Sequence, residues 1–203
     1  MFNDPVAIQI FEKRKVVVNG HFAYASGRHG SAYVNKDAIY PYIDDVRQIC
    51  LCFADCLLQK ARSIQVVIGP EKGGIILSQW TAWALMKHEE AGEILAVYAE
   101  KKDGGFVFGR EYAKLIPGRN ILIVEDVLTT GGSVRKVANA VRALGGNVIA
   151  VAAICNRGGV TLEDMDLPRS TAFYALVQDL RLESWSREEC PLCKEGIPIN
   201  PNL

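Results

Sequence analysis

Residues 121 to 134 read Ile-Leu-Ile-Val-Glu-Asp-Val-Leu-Thr-Thr-Gly-Gly-Ser-Val, and no other part of the chain restricts the fold as tightly. Four consecutive apolar residues, Ile121 to Val124, suit a strand buried on both faces of a parallel sheet. Glu125 and Asp126 then arrive at the exposed carboxyl end of that strand, where open α/β sheets place their ligands. Thr129, Thr130, Gly131, Gly132 and Ser133 form the following loop. Its glycines let backbone N–H groups approach an anion, its hydroxyls add donors, and the next helix presents its positive end to the same point. Such a loop suits a monophosphate. The two carboxylates would repel a phosphate but can accept hydrogen bonds from sugar hydroxyls about one ribose away. The ligand implied is a ribose 5-phosphate.

Other phosphate motifs are absent: there is no Gly-x4-Gly-Lys-Ser/Thr loop, and no Gly-x-Gly-x-x-Gly follows a strand. Glu125-Asp126 followed by Thr129 to Ser133 resembles, at full motif length, the phosphoribosyl-pyrophosphate (PRPP) signature of the type I phosphoribosyltransferases. The resemblance spans roughly residues 20 to 160. It implies one domain with a central parallel sheet flanked by helices, a small N-terminal hood at about 15–40, a core at about 41–178 and a tail at 179–203.

The rest of the pattern agrees with that fold class. Asp4 or Asn3 caps a short amphipathic helix beginning at Pro5. Helical periodicity runs over about 43 to 60 and 75 to 88, and again after Ser133, where Val134, Val137, Val141 and Leu144 share a face. Apolar strands are expected at 66–68, 94–98, 120–125 and 147–154. Strands alternating with helices imply βαβ crossovers and a parallel sheet.

Three further elements are assigned by the resemblance. Gly69 to Gly74 ends a strand and matches the family's pyrophosphate loop, so Glu71, Lys72 and Gly73 join the PRPP-binding set with Val127, and Glu71-Lys72 is the position of a non-proline cis peptide. Glu100 to Gly105 matches the mobile catalytic loop, with Lys101 and Lys102 acting beside Asp126; the further lysine and histidine usual in orotate enzymes are absent from it. Residues 22 to 35 match the base-recognising hood of the orotate phosphoribosyltransferases, through Ser26-Gly27-Arg28 and through Tyr33 and Val34 as stacking residues, with Ala25 where a lysine is usual. Arg157 takes the position that holds the orotate carboxylate, for which a guanidinium fork is suited.

The implied reaction is phosphoribosyl transfer from PRPP to orotate with Mg²⁺ held mainly through PRPP rather than by protein ligands, in a homodimer. A transferase for a purine or another base, and a PRPP- or nucleotide-sensing regulator of the same fold, are the alternatives. Lys+Arg and Asp+Glu number 23 each, which gives no electrostatic footprint for nucleic acid. The N-terminal residues lack an export pattern and no apolar window reaches about 18 residues, so the expectation is a cytoplasmic protein without a membrane partner.

Six cysteines remain. Cys50, Cys52 and Cys56 fall within helical periodicity and read as buried thiols. Cys190-Pro-Leu-Cys193 has the spacing of half a zinc site, yet His21, His29 and His88 are all distant in sequence. A reduced structural or interfacial pair is the reading preferred.

Overall fold

The computed structural model describes residues 3–24, 27–87, 92–178, 180 and 182–201. In chain order the elements are α1 (Pro5–Lys13), β1 (Val17–Ala23), β2 (His29–Val34), α2 (Ile43–Cys56), α3 (Leu58–Ala61), β3 (Val66–Pro70), α4 (Gly73–Leu85), β4 (Leu95–Lys102), β5 (Gly105–Val107), α5 (Arg110–Ala113), β6 (Asn120–Leu128), α6 (Gly132–Ala143), β7 (Asn147–Asn156), β8 (Ala172–Gln178), β9 (Ser184–Trp185) and α7 (Pro191–Lys194). A six-stranded sheet runs β5-β4-β3-β6-β7-β8, and β1-β2-β9 form a separate three-stranded sheet, the hood. All pairings in the large sheet are parallel except β4 with β5.

Alternation along each strand explains the layering. Val67, Leu122, Val124, Ala150 and Ala152 face one side and pack on α1, α2 and α4. Val66, Ile68, Ile121, Ile123 and Val151 face the other and pack on α6. A sheet buried on both faces needs continuous apolar strands, and these supply them. The expected helical faces hold: Val46, Ile49, Phe53 and Leu57 are buried on one side, Val134, Val137 and Val141 on the other.

The strand order reverses between β3 and β6. Chain growth passes outward from β3 to β4 and β5, then returns to β6 and proceeds outward through β7 and β8. The crevice beyond the carboxyl ends of β3 and β6 is therefore the topological switch point, where α/β sheets bind ligands.

Several boundaries differ from the sequence reading. The signature strand continues to Leu128, because Val127 and Leu128 pair with Cys155 and Asn156. Helix α4 begins at Gly73 and ends at Leu85, and His88 lies outside the described residues. The segment after Glu100 forms a tight β4–β5 hairpin. Asp103 and Gly104 both have positive φ, 48° and 75°, as a two-residue type I′ turn requires, and Asp-Gly favours that turn. The tail folds back on its own chain: β9 pairs with β2 through His29–Trp185 and Gly30–Ser184.

The N-terminus is fixed by two side chains with separate tasks. Asp4 Oδ1 accepts from the N–H groups of Val6 and Ala7 at 2.9 and 3.0 Å, capping α1. Asn3 Oδ1 accepts from Gln178 N–H at 2.8 Å. Further along, Asp45 is 1% exposed and receives Lys13 Nζ at 2.9 Å together with the Arg14 guanidinium, which also lies over the Tyr42 ring. Burial opposes the Asp45 charge, but the hydrogen bonds from Arg14 and Lys13 outweigh it and hold the carboxyl below its usual range.

A lowered carboxyl pKa stabilises the fold above the unfolded-state value, and that contribution is lost as pH falls through the native one. Asp45→Asn should therefore destabilise the protein at pH 7 by about 2–4 kcal/mol, since Arg14 is left uncompensated. In urea titrations the gap from the parent should shrink below about pH 4; a gap independent of pH would remove the ion pair as its source.

Candidate functional site

Glu125 and Asp126 are the centre of the crevice, and neither is exposed in the way their position at a strand end suggests. Their exposures are 7% and 3%. Because β6 continues past them, they are covered by the hood connection and by the turn after β3. Two adjacent buried carboxylates demand partners, since an unpaired buried charge is costly.

Asp126 is satisfied by three groups. Its Oδ2 accepts from Lys36 Nζ at 2.7 Å and from Tyr40 Oη at 3.2 Å, and its Oδ1 accepts from Val127 N–H at 2.7 Å. Lys36 and Tyr40 come from the segment joining the hood to α2, and the sequence reading missed both. The available signal was indirect: a buried acid requires a cation, but nothing local in sequence names which one. Burial disfavours the Lys36 charge; the Asp126 carboxylate overcomes that and raises its pKa. Burial first, then the charge of Asp126, hold the Tyr40 hydroxyl protonated far above its ordinary range.

Glu125 has weaker support. Its Oε1 accepts from Asp126 N–H at 3.1 Å. Burial, reinforced by the neighbouring Asp126 charge, raises its pKa well above that of an ordinary carboxyl. The pair thus divides into one carboxylate locked by a cation and one poised to accept a proton or a hydroxyl hydrogen bond.

The loop expected to hold a phosphate follows directly. Glu125, Leu128 and residues Thr129 to Ser133 line a cavity of about 100 Å³. Thr129, Thr130 and Ser133 are exposed to it while Gly131 is buried. Gly131 precedes α6 with φ 70°, and a Cβ there would approach Met165 Cγ and Val160 Cγ1 to 2.8 Å. Only glycine suits a left-handed residue so enclosed. Asn156 braces the covering segment, exchanging hydrogen bonds with the Val160 backbone at 2.9 and 2.8 Å.

Across the crevice stands the turn after β3. Glu71–Lys72 is a cis peptide. Gly73 sits so close to Asp126 and Tyr40 that a Cβ would overlap Asp126 Oδ2 and Tyr40 Oη. The hairpin is tethered to this turn, with Lys101 N–H donating to Glu71 Oε1 at 2.8 Å. Lys136 Nζ from α6 donates to Gly104 O at 2.6 Å. Lys101, Lys102 and Lys72 are solvent-exposed cations at the rim.

The residues expected from the sequence to recognise a base separate. Tyr33 is half-buried and packs against the Phe22 ring at 5.8 Å, whereas Val34 is 5% exposed inside the main core. Successive strand residues point to opposite faces, so Val34 is corrected from a stacking residue to a core residue. Arg28 is bound to the tail through Ser184 O and Oγ; Ala25 and Ser26 lie outside the described residues. Arg157 follows β7 with its guanidinium 4.6 Å from the centre of the Tyr24 ring. Tyr24, another residue not anticipated, donates its hydroxyl proton to Ala32 O and so fixes the surface on which Arg157 rests.

A raised carboxyl pKa has the opposite linkage to that of Asp45: stability is full below the unfolded value and declines as pH rises toward the native one. Glu125→Gln removes that decline. The melting temperature of the variant relative to the parent should thus rise between pH 5 and pH 8 in ligand-free protein, and an unchanged difference would contradict the strained ionisation of Glu125.

Residues 45–182 match the phosphoribosyl transferase domain family. The orotate phosphoribosyltransferase of Thermoanaerobacter sp. (strain X514) is 37% identical over 198 residues, covering 95% of this chain and 93% of that protein. That of Caldanaerobacter subterraneus subsp. tengcongensis is 39% identical over 194 residues, with the same coverage of 95% and 93%. Among solved structures, the orotate phosphoribosyltransferase from Aeropyrum pernix aligns with a TM-score of 0.62 at 21% identity, over 85% of this chain and 93% of that one. The adenine phosphoribosyl transferase from Trypanosoma brucei aligns equally well, TM-score 0.62 at 17% identity, over 88% and 82%. The fold is thus common to enzymes for different bases, and the stronger sequence identity lies with the orotate group. The chain belongs to the phosphoribosyltransferase family, with the orotate phosphoribosyltransferases as its close sequence relatives.

Proposed function

We propose that this protein transfers the phosphoribosyl group of PRPP to orotate, giving orotidine monophosphate and pyrophosphate. The observation that carries the reading is the pairing, at the switch point, of a buried acidic pair with a phosphate loop on one side and the Glu71–Lys72–Gly73 turn on the other. A ribose 5-phosphate spans the first two, and a diphosphate on its C1 reaches the third. The identity of 37–39% to orotate enzymes over nearly the whole chain supports orotate as the acceptor.

The chemistry is assigned to positioning and charge. The orotate ring nitrogen attacks C1 while the C1–O bond breaks, pyrophosphate leaves with the bonding electron pair, and the proton from that nitrogen passes to pyrophosphate or solvent. Positive charge grows on the ribose, beside Asp126 and Glu125, which accept hydrogen bonds from its hydroxyls; negative charge grows on the leaving group, beside the backbone of Gly73 and the cations Lys101, Lys102 and Lys72. Preorganised groups of this kind lower the barrier without a covalent intermediate. Lys36 stays paired with Asp126 and holds its carboxyl group in place. Arg157, held on Tyr24, is the group assigned to the orotate carboxylate, with Tyr33 contributing a ring from the hood.

Mg²⁺ belongs to this reading because a hard dication supplies neutralisation of the diphosphate. The donor set fits an ion carried by PRPP and not an all-protein cage, since Asp126 is engaged by Lys36 and Glu125 tends toward its neutral form. A homodimer is proposed on family resemblance, in which the Lys101 and Lys102 beside each leaving group are supplied by the β4–β5 hairpin of the neighbouring subunit. A reducing, cytoplasmic setting suits the six free cysteines. Among the described residues no helix is long and apolar enough to cross a membrane.

Pyrophosphate release from PRPP and Mg²⁺ with orotate, uracil, adenine, hypoxanthine, guanine and xanthine supplied separately tests the reaction. Release with orotate alone is expected; release with a purine moves the assignment to another base, and PRPP binding without turnover on any base moves it to a regulator. Arg157→Ala should raise the KM for orotate at least about tenfold more than that for PRPP, and equal effects on both would end its assignment to the carboxylate. Mixing Asp126→Asn protein with a Lys101/Lys102 double alanine variant should restore activity through hybrid dimers. No recovery would count against a hairpin shared between subunits.

A further inference from the structure

The hood and tail meet at four side chains that play no part in the transfer site. His21 on β1, His29 on β2, Cys190 at the start of α7 and Cys193 within it place one ligand atom each within 4.8 Å of all the others. Cys193 Sγ lies 3.2 Å from His29 Nδ1 and 3.5 Å from His21 Nε2; Cys190 Sγ lies 3.6 Å from His21 Nε2. His21 Nε2 and His29 Nδ1 are 2.9 Å apart. A tetrahedral Zn²⁺, with Zn–N of about 2.0–2.1 Å and Zn–S of about 2.3 Å, spaces its ligand atoms about 3.3–3.8 Å from one another. Two of these separations fall within that range, two are shorter by about 0.1–0.4 Å, and all of the ligand atoms lie within 4.8 Å of one another.

We infer that His21, His29, Cys190 and Cys193 form a structural Zn²⁺ site that fastens the C-terminal tail to the hood. Two sulfurs and two imidazole nitrogens in tetrahedral arrangement select Zn²⁺ over hard cations such as Mg²⁺. The outer sphere is prepared. His21 Nδ1 lies 2.7 Å from Ile197 O, and a carbonyl only accepts, so Nδ1 carries the hydrogen and the Nε2 lone pair faces the sulfurs. Binding releases the two thiol protons to solvent and leaves the imidazoles neutral, so the +2 of the metal and the two thiolate charges cancel. A neutral centre suits a place where Cys190, His21 and His29 are 0%, 2% and 5% exposed.

The local elements need such a fastening. Strand β9 has two residues and α7 has four, too short to hold themselves in place. The ligand His29 is also the residue that β9 pairs with, through Trp185, and Asn200 N–H donates to His21 O at 2.7 Å. The site is independent of which base the enzyme uses.

Elemental analysis of the full-length protein, purified with a thiol reductant and no chelator, tests this. The parent and a Cys56→Ser control should each carry about one zinc per chain, and Cys190→Ser/Cys193→Ser under about a tenth of that. Stripping the parent with a chelator should lower its melting temperature, added Zn²⁺ should restore it, and Co²⁺ in its place should give the visible absorption of tetrahedral dithiolate coordination. These metal-reloading readouts use the parent chain and do not require the double variant to fold. Background metal with no uptake of added Zn²⁺, undiminished zinc in the double variant, or a Cys190–Cys193 disulfide in protein prepared without oxidant would each overturn the site.

Discussion

The ion pair between buried Asp126 and the half-exposed Lys36 organises the rest of the site. A carboxylate 3% exposed at the end of a parallel strand survives only with a cation and hydrogen-bond donors around it. Lys36, Tyr40 and the Val127 amide meet that demand. The requirement fixes the chain between the hood and α2 over the crevice, and forces the turn after β3 to approach with a glycine at position 73. It also leaves the adjacent Glu125 with no cation of its own, which is why the neighbouring charge and burial together raise its pKa. On the proposed reading, ribose hydroxyls would offer donors to this poorly served carboxyl.

Around this centre the architecture separates rigid and appended parts. Strands β3, β6 and β7 are covered on both faces by apolar clusters, so the phosphate loop and the acidic pair stand on the most constrained part of the sheet. The hood is a small sheet whose third strand comes from the far end of the chain. It carries Tyr24 and Tyr33 and reaches Arg157 by an aromatic contact. On the proposed reading, base recognition would fall to the part of the molecule with the least core of its own, and a metal at its junction with the tail would stiffen that part without entering the reaction.

Where the sequence was read correctly, the information was local. Ile121 to Val124 followed by the acidic pair and Thr129 to Ser133 is contiguous, and periodicity was enough to assign the helix with Val134, Val137 and Val141 buried together. Where it fell short, the information was distant or depended on a face. Tyr33 and Val34 are neighbours in sequence, but the strand turns one toward the hood's Phe22 and the other into the core. The segment at Asp103-Gly104 looked like a mobile loop because glycine and charge are common in loops, yet the same dipeptide closes a type I′ hairpin once two strands flank it. Cys190 and Cys193 lacked histidines nearby in sequence, and those histidines arrive from some 160 to 170 positions away.

The sequence by itself determined the class of fold and the place of the glycine-rich loop after β6, because apolar runs, glycine-rich turns and helix starts are set by chemistry within a few residues. Only the tertiary structure decided that Asp126 is neutralised by Lys36, that Arg157 is held on Tyr24, and that two histidines of the hood face two cysteines of the tail. Those pairings depend on which strand lies beside which and on how a chain end returns across the molecule. Long-range closure of that kind is set by the packing of the whole sheet and its layers, and no local spacing of residues encodes it.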